Sequence, residues 1–271
     1  MTDPVLDPAD PLAERFAFAH DLIREAGAVA LEHFLRLDTL TITGKGPRDM
    51  VSEADVAVER LIRSRLESRF PADGFLGEET GCGDVSDGGG LWVVDPIDGT
   101  QPFVNGLGSW CVSIAYVLDG RAQLGLVFAP VRDELFSGRT GRGAWLDGAP
   151  IRVSRATSLD GQLVVVGYSA RVTPEDVLPM FERVLRSGAL YYRDGSGALM
   201  LSYLAAGRLT GYVESHINAW DCLAGVALIE AAGGRVNDVL AGDGLHAGSP
   251  IVAGPPALYP ELQRILGMPV A

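Results

Sequence analysis

The stretch Leu91-Trp92-Val93-Val94-Asp95-Pro96-Ile97-Asp98-Gly99-Thr100 is an apolar run that ends in two carboxylates, a proline and a glycine. Pro96 fixes one φ angle and Gly99 permits one that other residues avoid, so Asp95 and Asp98 can be turned to the same side of a rigid bend. Two acceptor-only side chains held that way repel each other unless a cation lies between them. Hard oxygen ligands suit Mg²⁺, and the amide groups of Gly99 and Thr100 would then be free to face a phosphate. The same residues would also make an Asp-rich turn in which each carboxylate bonds its own backbone.

Other acidic positions bear on that choice. Gly77-Glu78-Glu79 follows the apolar pair Phe75-Leu76 and offers a carboxylate from a neighbouring strand end, or else a solvated surface pair. Asp221, after Trp220, opens an apolar helix and is either a ligand or an N-cap. Asp49 and Asp55 flank the start of an earlier helix, with the same two readings.

The elements that must position these groups are read from periodicity. Phe16, Ala19, Ile23, Ala26, Ala30 and Phe34 recur at three-to-four spacing and predict a helix from about Pro11 to Leu37. Val58, Leu61, Ile62 and Leu66 predict a second from about Ser52, a candidate N-cap, to Phe70. From Leu91 to about Gly148 the pattern is of strands, including Leu91–Val94, Cys111–Val117 and Leu124–Phe128. Beyond Arg155 strands (Leu163–Val166, Ala189–Tyr192, Gly211–Glu214) alternate with helices (Thr173–Arg186, Gly197–Ala206, Trp220–Ala232). Such alternation favours a sheet covered by helices. The expectation is an α+β half over residues 11–152 and an α/β half over 153–268, sharing a cleft near residue 150.

Composition narrows the function. The 271 residues carry 22 Lys+Arg against 35 Asp+Glu, a net charge of −13, with 47% hydrophobic residues. Lys45 is the single lysine and the arginines form no basic run, which argues against a general nucleic-acid binder. No segment approaches the roughly 20 apolar residues of a membrane span, and the start, Met1-Thr2-Asp3-Pro4, is acidic where a signal peptide is basic; a cytoplasmic protein is expected. Cys82, Cys111 and Cys222 are widely spaced and read as reduced thiols. His20, His33, His216 and His246 show no metal-site spacing.

Taken together, these motifs resemble the inositol monophosphatase family of Mg²⁺-dependent, lithium-sensitive phosphatases, from about Pro11 to Met268. The family's Gly-Glu-Glu is matched by Gly77-Glu78-Glu79, its Asp-Pro-Ile-Asp-Gly-Thr by Asp95 to Thr100, and its Trp-Asp with a trailing Glu-Ala-Gly-Gly by Trp220-Asp221 and Glu230 to Gly234. Asp49 to Asp55 matches Asp-x-Val-Thr-x-x-Asp with serine for threonine. The resemblance implies a layered α-β-α-β-α sandwich and two to three Mg²⁺ ions, with Mn²⁺ as a substitute. Glu78, Asp95 and the Ile97 carbonyl would hold one ion, Asp95, Asp98 and Asp221 a second, and Glu78 a weaker third. Asp55 and Thr100 would orient and help deprotonate the nucleophilic water, with no covalent phosphoenzyme. Asp98, Gly99, Thr100, Gly195, Ser196 and Glu214 would contact the substrate, Glu214 through a hydroxyl.

The implied activity is phosphomonoester hydrolysis of a small polyol phosphate, myo-inositol monophosphate first, by direct attack of a metal-activated water. Histidinol phosphate is the alternative substrate, and a catalytically idle regulatory or metal-binding relative is the alternative from another class. A haloacid dehalogenase-type Asp-x-Asp-Gly-Thr fits less well, since two residues separate Asp95 from Asp98. The family is commonly homodimeric, and the apolar Leu107 to Val117 stretch hints at a contact surface. Departures cluster near the leaving-group pocket: Gln101-Pro102-Phe103-Val104-Asn105 replaces Thr-Asn-Phe-Val-His, Gly197 replaces alanine, Tyr192-Arg193 displaces an arginine by one place, and Lys45 lies one residue off the family's lysine.

Overall fold

In the computed structural model, which describes residues 12–39, 42–46, 49–82, 89–169 and 171–269, the opening apolar stripe forms helix α1 (Ala13–Phe34). It buries Phe16, Ala19, Ile23, Ala26 and Ala30 and stops before Leu35, which points into solvent at 74% exposure. Strands β1 (Ile42–Gly46) and β2 (Asp49–Ser52) form a small hairpin leading to α2 (Glu53–Arg69). The side chains of Lys45, Asp49 and Ser52 lie outside the described residues, as does most of the Gly81 to Gly90 loop. On α2, Val58, Ile62 and Leu66 face α1 and the sheet below. Each apolar side chain buried in this way contributes about 1.5–3 kcal/mol.

Next come β3 (Gly74–Gly77), β4 (Gly81–Cys82), β5 (Leu91–Asp98) and the short α3 (Thr100–Val104). A meander follows: β6 (Cys111–Leu118), β7 (Arg121–Ala129), β8 (Glu134–Arg139), β9 (Gly143–Leu146) and β10 (Ala149–Ile151). The Asp119-Gly120 and Asp147-Gly148 pairs close two of its hairpins. These strands make one sheet in the order β10-β9-β8-β7-β6-β5-β3-β4, antiparallel except for β3 beside β5. The Leu107 to Val117 stretch is therefore mostly an interior strand: Trp110 and Cys111 to Tyr116 are buried, and Leu107 is the residue left exposed. Its apolar character is accounted for by the core.

The second half contributes β11 (Leu163–Val166), α4 (Pro174–Arg186), β12 (Leu190–Tyr192), α5 (Gly197–Ala205), β13 (Gly211–Ile217), α6 (Ala219–Ala231), β14 (Arg235–Val236), α7 (Gly244–Ala247), β15 (Ser249–Gly254) and α8 (Tyr259–Leu266). Its sheet runs β12-β11-β13-β15-β14, with β11 parallel to both neighbours and β15 antiparallel to β13. The β14-to-α8 stretch carries no clear periodicity in the sequence, because Ser249-Pro250-Ile251-Val252-Ala253-Gly254 is a short apolar run broken by proline and glycine.

Three apolar clusters give the layering. One joins α1 and α2 to the outer face of the large sheet through Trp92, Val94, Ile114 and Leu126. A second fills the space between the two sheets, where Val93, Ala115 and Val127 meet α5 and α6. The third lies between the small sheet and α4 and α8. Successive residues of β5 thus serve opposite clusters, as the period of two requires. The result is the α-β-α-β-α sandwich that the motifs implied, and no described helix is long and apolar enough to cross a membrane.

Candidate active site

Strand β5 does not stop at Val94 as the apolar run suggested; it continues through Asp98 with a bulge. Asp95 pairs with Ser113 and Asp98 with Cys111, so three steps on β5 oppose two on β6. In a regular strand, residues three apart point to opposite faces. The extra residue of the bulge restores one face for both carboxylates, which is the work first attributed to a bend. Gly99, at φ +95°, then turns the chain into α3, and a side chain there would meet the Ser109 carbonyl at 2.9 Å.

Neighbouring elements bring the other acids in. Parallel pairing aligns Gly77 with Val94, so Glu78 follows beside Asp95, its N–H bonded to the Val94 carbonyl at 3.2 Å. The turn carrying Glu78 is fixed from below by Glu59 of α2, a residue 1% exposed, which accepts the N–H groups of Glu79 (2.8 Å) and Thr80 (2.9 Å). Gly77 allows this approach, since a Cβ there would lie 2.4 Å from the Glu59 carboxylate. Sequence reasoning missed Glu59; its position on the apolar side of α2, one residue after Val58, was the available signal.

Asp221 sits in the first turn of α6, but the N-cap is Asn218. Asn218 donates to Asp221 through its backbone N–H (3.3 Å) and its side-chain amide (3.0 Å), which aims the carboxylate back toward β5. Asp98 accepts from the Ser196 hydroxyl (2.5 Å) and from the N–H groups of Ala198 (2.6 Å) and Gly197 (3.3 Å) at the start of α5. The loop before α5 is held by Asp194, whose carbonyl accepts from Ser109 (2.9 Å) and whose carboxylate accepts the Ser196 N–H (3.3 Å).

Asp95, Asp98 and Asp221 each present an oxygen within 4.8 Å of the other two. Burial pushes Asp95 well above the usual carboxylate range, and the charges of Glu78, Asp98 and Asp221 push it further. Burial likewise raises Asp221, against the pull of its hydrogen bonds to Asp95 and Asn218. Burial and the charge of Asp221 bring Asp98 up to about 7, against the opposing pull of its Ser196 and backbone donors. Three crowded, buried acids whose charges oppose one another are an oxygen-donor set fitted to a hard divalent cation.

The acids line one side of a cavity of about 610 Å³, together with Glu78, Ile97, Gly99, Thr100 and Gly195. The Thr100 hydroxyl donates to the Ile97 carbonyl at 3.3 Å. Ser196 is buried beneath the cavity against Asp98. Glu214, buried on β13, lines an adjoining 140 Å³ lobe that shares Asp98, Gly195 and Asp221 with the main cavity. Burial raises Glu214 to about 8, opposed by the bond it receives from Tyr212. Asp55 lies buried in the first turn of α2 and is not among the lining residues. Tyr168 and Ser169, which no motif marked, line both spaces, as does Arg193, one of the sequence departures.

The model of the inositol monophosphatase family matches residues 12–266. The Nus factor SuhB of Haemophilus influenzae is 34% identical over 242 residues, covering 88% of this chain and 90% of that protein. The inositol monophosphatase of Anabaena superposes with a TM-score of 0.82 at 32% identity, over 96% of this chain and 98% of the other. The extragenic suppressor protein suhB of Bartonella henselae gives 0.86 at 30% identity, over 93% and 97%. A bulged strand that gathers acids from three elements beside a cavity is thus set in a sandwich shared over nearly its whole length, and the chain belongs to the inositol monophosphatase family of phosphoric monoester hydrolases.

Proposed function

We propose that this phosphatase is Mg²⁺-dependent and hydrolyses the monoester of a small polyol, with myo-inositol monophosphate as the first candidate and histidinol phosphate as the second. The observation that carries this reading is the convergence of Asp95, Asp98 and Asp221 on one cavity wall, with Glu214 in the adjoining lobe. Glu78, Asp95 and the Ile97 carbonyl would hold one ion, Asp95, Asp98 and Asp221 another, with Glu78 shared by a weaker third; Mn²⁺ would substitute. Divalent cations held there neutralise phosphoryl charge and make water acidic enough to act as a nucleophile near neutral pH.

The chain's own groups do the positioning on which phosphoryl transfer depends. The hydroxyl of Thr100, at the start of α3, orients the attacking water, and Asp55, buried in the first turn of α2, would assist its deprotonation without lining the cavity. The N–H groups of Gly99 and Thr100 receive phosphate oxygens at the end of β5. Gly195 borders the ester, Ser196 beneath it acts on the substrate through Asp98, and Glu214 accepts a hydrogen bond from a hydroxyl of the leaving alcohol. Residues 11–152 supply most of the metal wall, and 153–268 add Asp221 to it together with the alcohol side, so the two halves act as one unit. Lithium sensitivity is part of the proposal only as the family resemblance implies it.

Assembly as a homodimer is part of the same proposal. It is supported by edge strand β12, where Leu190 and Tyr191 are exposed beside Leu178 and Leu185 of α4. A regulatory role as a protein partner is the second reading, favoured by the name Nus factor carried by the H. influenzae relative; the net charge of −13 argues against direct nucleic-acid contact in either case. Phosphate release from myo-inositol 1-phosphate, histidinol phosphate, fructose 1,6-bisphosphate and adenosine 3′,5′-bisphosphate, with Mg²⁺ and with EDTA, separates these readings. Mg²⁺-dependent turnover concentrated on the inositol ester supports the first. Turnover of none, with metal binding intact, moves the weight to the regulatory role.

A further inference from the structure

The carboxylate of Glu214 is fixed in place by two neighbours that no motif of the sequence marked. Tyr212 and Glu214 are two residues apart on β13, so both side chains stand on the face toward α5 and α6. The Tyr212 hydroxyl donates to Glu214 Oε2 at 2.6 Å, with the tyrosine 1% exposed and the glutamate 5%. From the other side comes Gly167, just past β11, where parallel pairing with β13 sets the backbone against the acid. A Cβ on Gly167 would lie 2.2 Å from the same Oε2. One carboxylate oxygen is thereby taken up by the phenol and wedged against backbone, while the residue as a whole lines the 140 Å³ lobe beside Asp98 and Asp221.

The lobe is also shaped next to that phenol. Gly197 lines it, and a Cβ at Gly197 would sit 3.5 Å from the Tyr212 hydroxyl and 3.4 Å from Ile217 Cδ1. A methyl group there would take up part of the lobe beside the phenol.

We propose that Tyr212 is a positioning residue for substrate selection: it holds Glu214 by Oε2 so that Oε1 is presented to a hydroxyl of the leaving alcohol. Without the phenol, the carboxylate can rotate and its hydrogen bond to substrate loses its preset direction. The inference rests on the reading of Glu214 as the alcohol-binding acid. It concerns recognition of the alcohol, so its effect depends on whether the leaving group carries hydroxyls.

The test compares myo-inositol 1-phosphate with phenyl phosphate, whose leaving group has no further hydroxyl, in wild type, Tyr212→Phe, Glu214→Ala, the double variant and Gly167→Ala. Loss of one oriented hydrogen bond predicts that Tyr212→Phe lowers the ratio of kcat/KM values, inositol ester over phenyl ester, by about five- to tenfold, chiefly through KM. Glu214→Ala lowers the ratio at least as far, and the double variant no further than Glu214→Ala alone. Gly167→Ala, which displaces the same carboxylate by contact, shifts the ratio in the same direction and carries the test if the phenylalanine variant fails to fold. Equal losses on both esters in Tyr212→Phe, or additive losses in the double variant, overturn the positioning role. A wild-type ratio in Glu214→Ala overturns the underlying reading of Glu214, whereas a shifted ratio there with a wild-type ratio in Tyr212→Phe and Gly167→Ala overturns only the role of Tyr212.

Discussion

Glu59→Ala tests whether the turn that carries Glu78 is held from beneath. Glu59 accepts two backbone N–H bonds, from Glu79 at 2.8 Å and Thr80 at 2.9 Å, and is itself almost fully buried. Hydrogen bonds to a charged group are worth about 1.5–3 kcal/mol each, and their loss strands two donors. Water entering the space left by the side chain recovers part of this, so the expected cost is about 3 kcal/mol. For a domain of this size 1 kcal/mol corresponds to roughly 2–4 °C in Tm, which gives a drop of about 6–12 °C. A freed Glu78 should also raise the Mg²⁺ concentration for half-maximal activity by about tenfold, the scale of a lost supporting contact at a metal site. Thermal melts in EDTA read the first effect and Mg²⁺ titration of phosphate release at a permissive temperature reads the second. A variant that melts within a degree of wild type, with the same Mg²⁺ dependence, would refute the argument.

Three further outcomes follow from the same geometry. Asp95→Asn, which removes the acid central to the crowded set, should take turnover to background while the melt in EDTA stays at or above the wild-type value, because the amide replaces an acid whose ionisation burial and its acidic neighbours oppose; retained Mg²⁺-dependent turnover contradicts the metal assignment. Ser196→Ala removes the 2.5 Å donor to Asp98 and should weaken Mg²⁺ dependence about tenfold with the fold intact by circular dichroism; unchanged dependence contradicts it. In EDTA, stability should fall as pH rises from about 5 to 8: Asp98 at about 7 and Glu214 at about 8 lie above their unfolded values, so the folded state binds more protons in that window. Saturating Mg²⁺, which displaces those protons, should flatten or invert the slope; an EDTA melt that rises with pH across the window contradicts the burial argument.

Much of the site was legible because its chemistry is local in sequence. Asp95, Asp98 and Thr100 fall within six residues, and Glu78 and Asp221 each follow an apolar or aromatic cue. What the sequence hid is the means of convergence. A bulge looks like any other pair of strand residues until its partner strand is known, so Asp95 and Asp98 read as a bend beyond the strand. Asp221 reads from the sequence as either a ligand or a cap, and the cap is Asn218, three residues earlier, with which it bonds reciprocally. Glu59 and Tyr212 act on residues set by neighbouring backbone, which no spacing rule exposes. In the fold, periodicity found α1, α2, α4, α5 and α6 to within a few residues. It gave nothing for β14, β15 and α8, whose stretches are short and interrupted by proline and glycine.

The central claim is that acids from β5, the β3 turn and α6 hold divalent cations against the cavity. Anomalous diffraction from crystals soaked in Mn²⁺ tests it directly. The account predicts a peak among Asp95, Asp98 and Asp221 and another among Glu78, Asp95 and the Ile97 carbonyl, both lost in Asp95→Asn crystals. A cavity free of anomalous density at saturating Mn²⁺, or density bound elsewhere while hydrolysis continues, would contradict it.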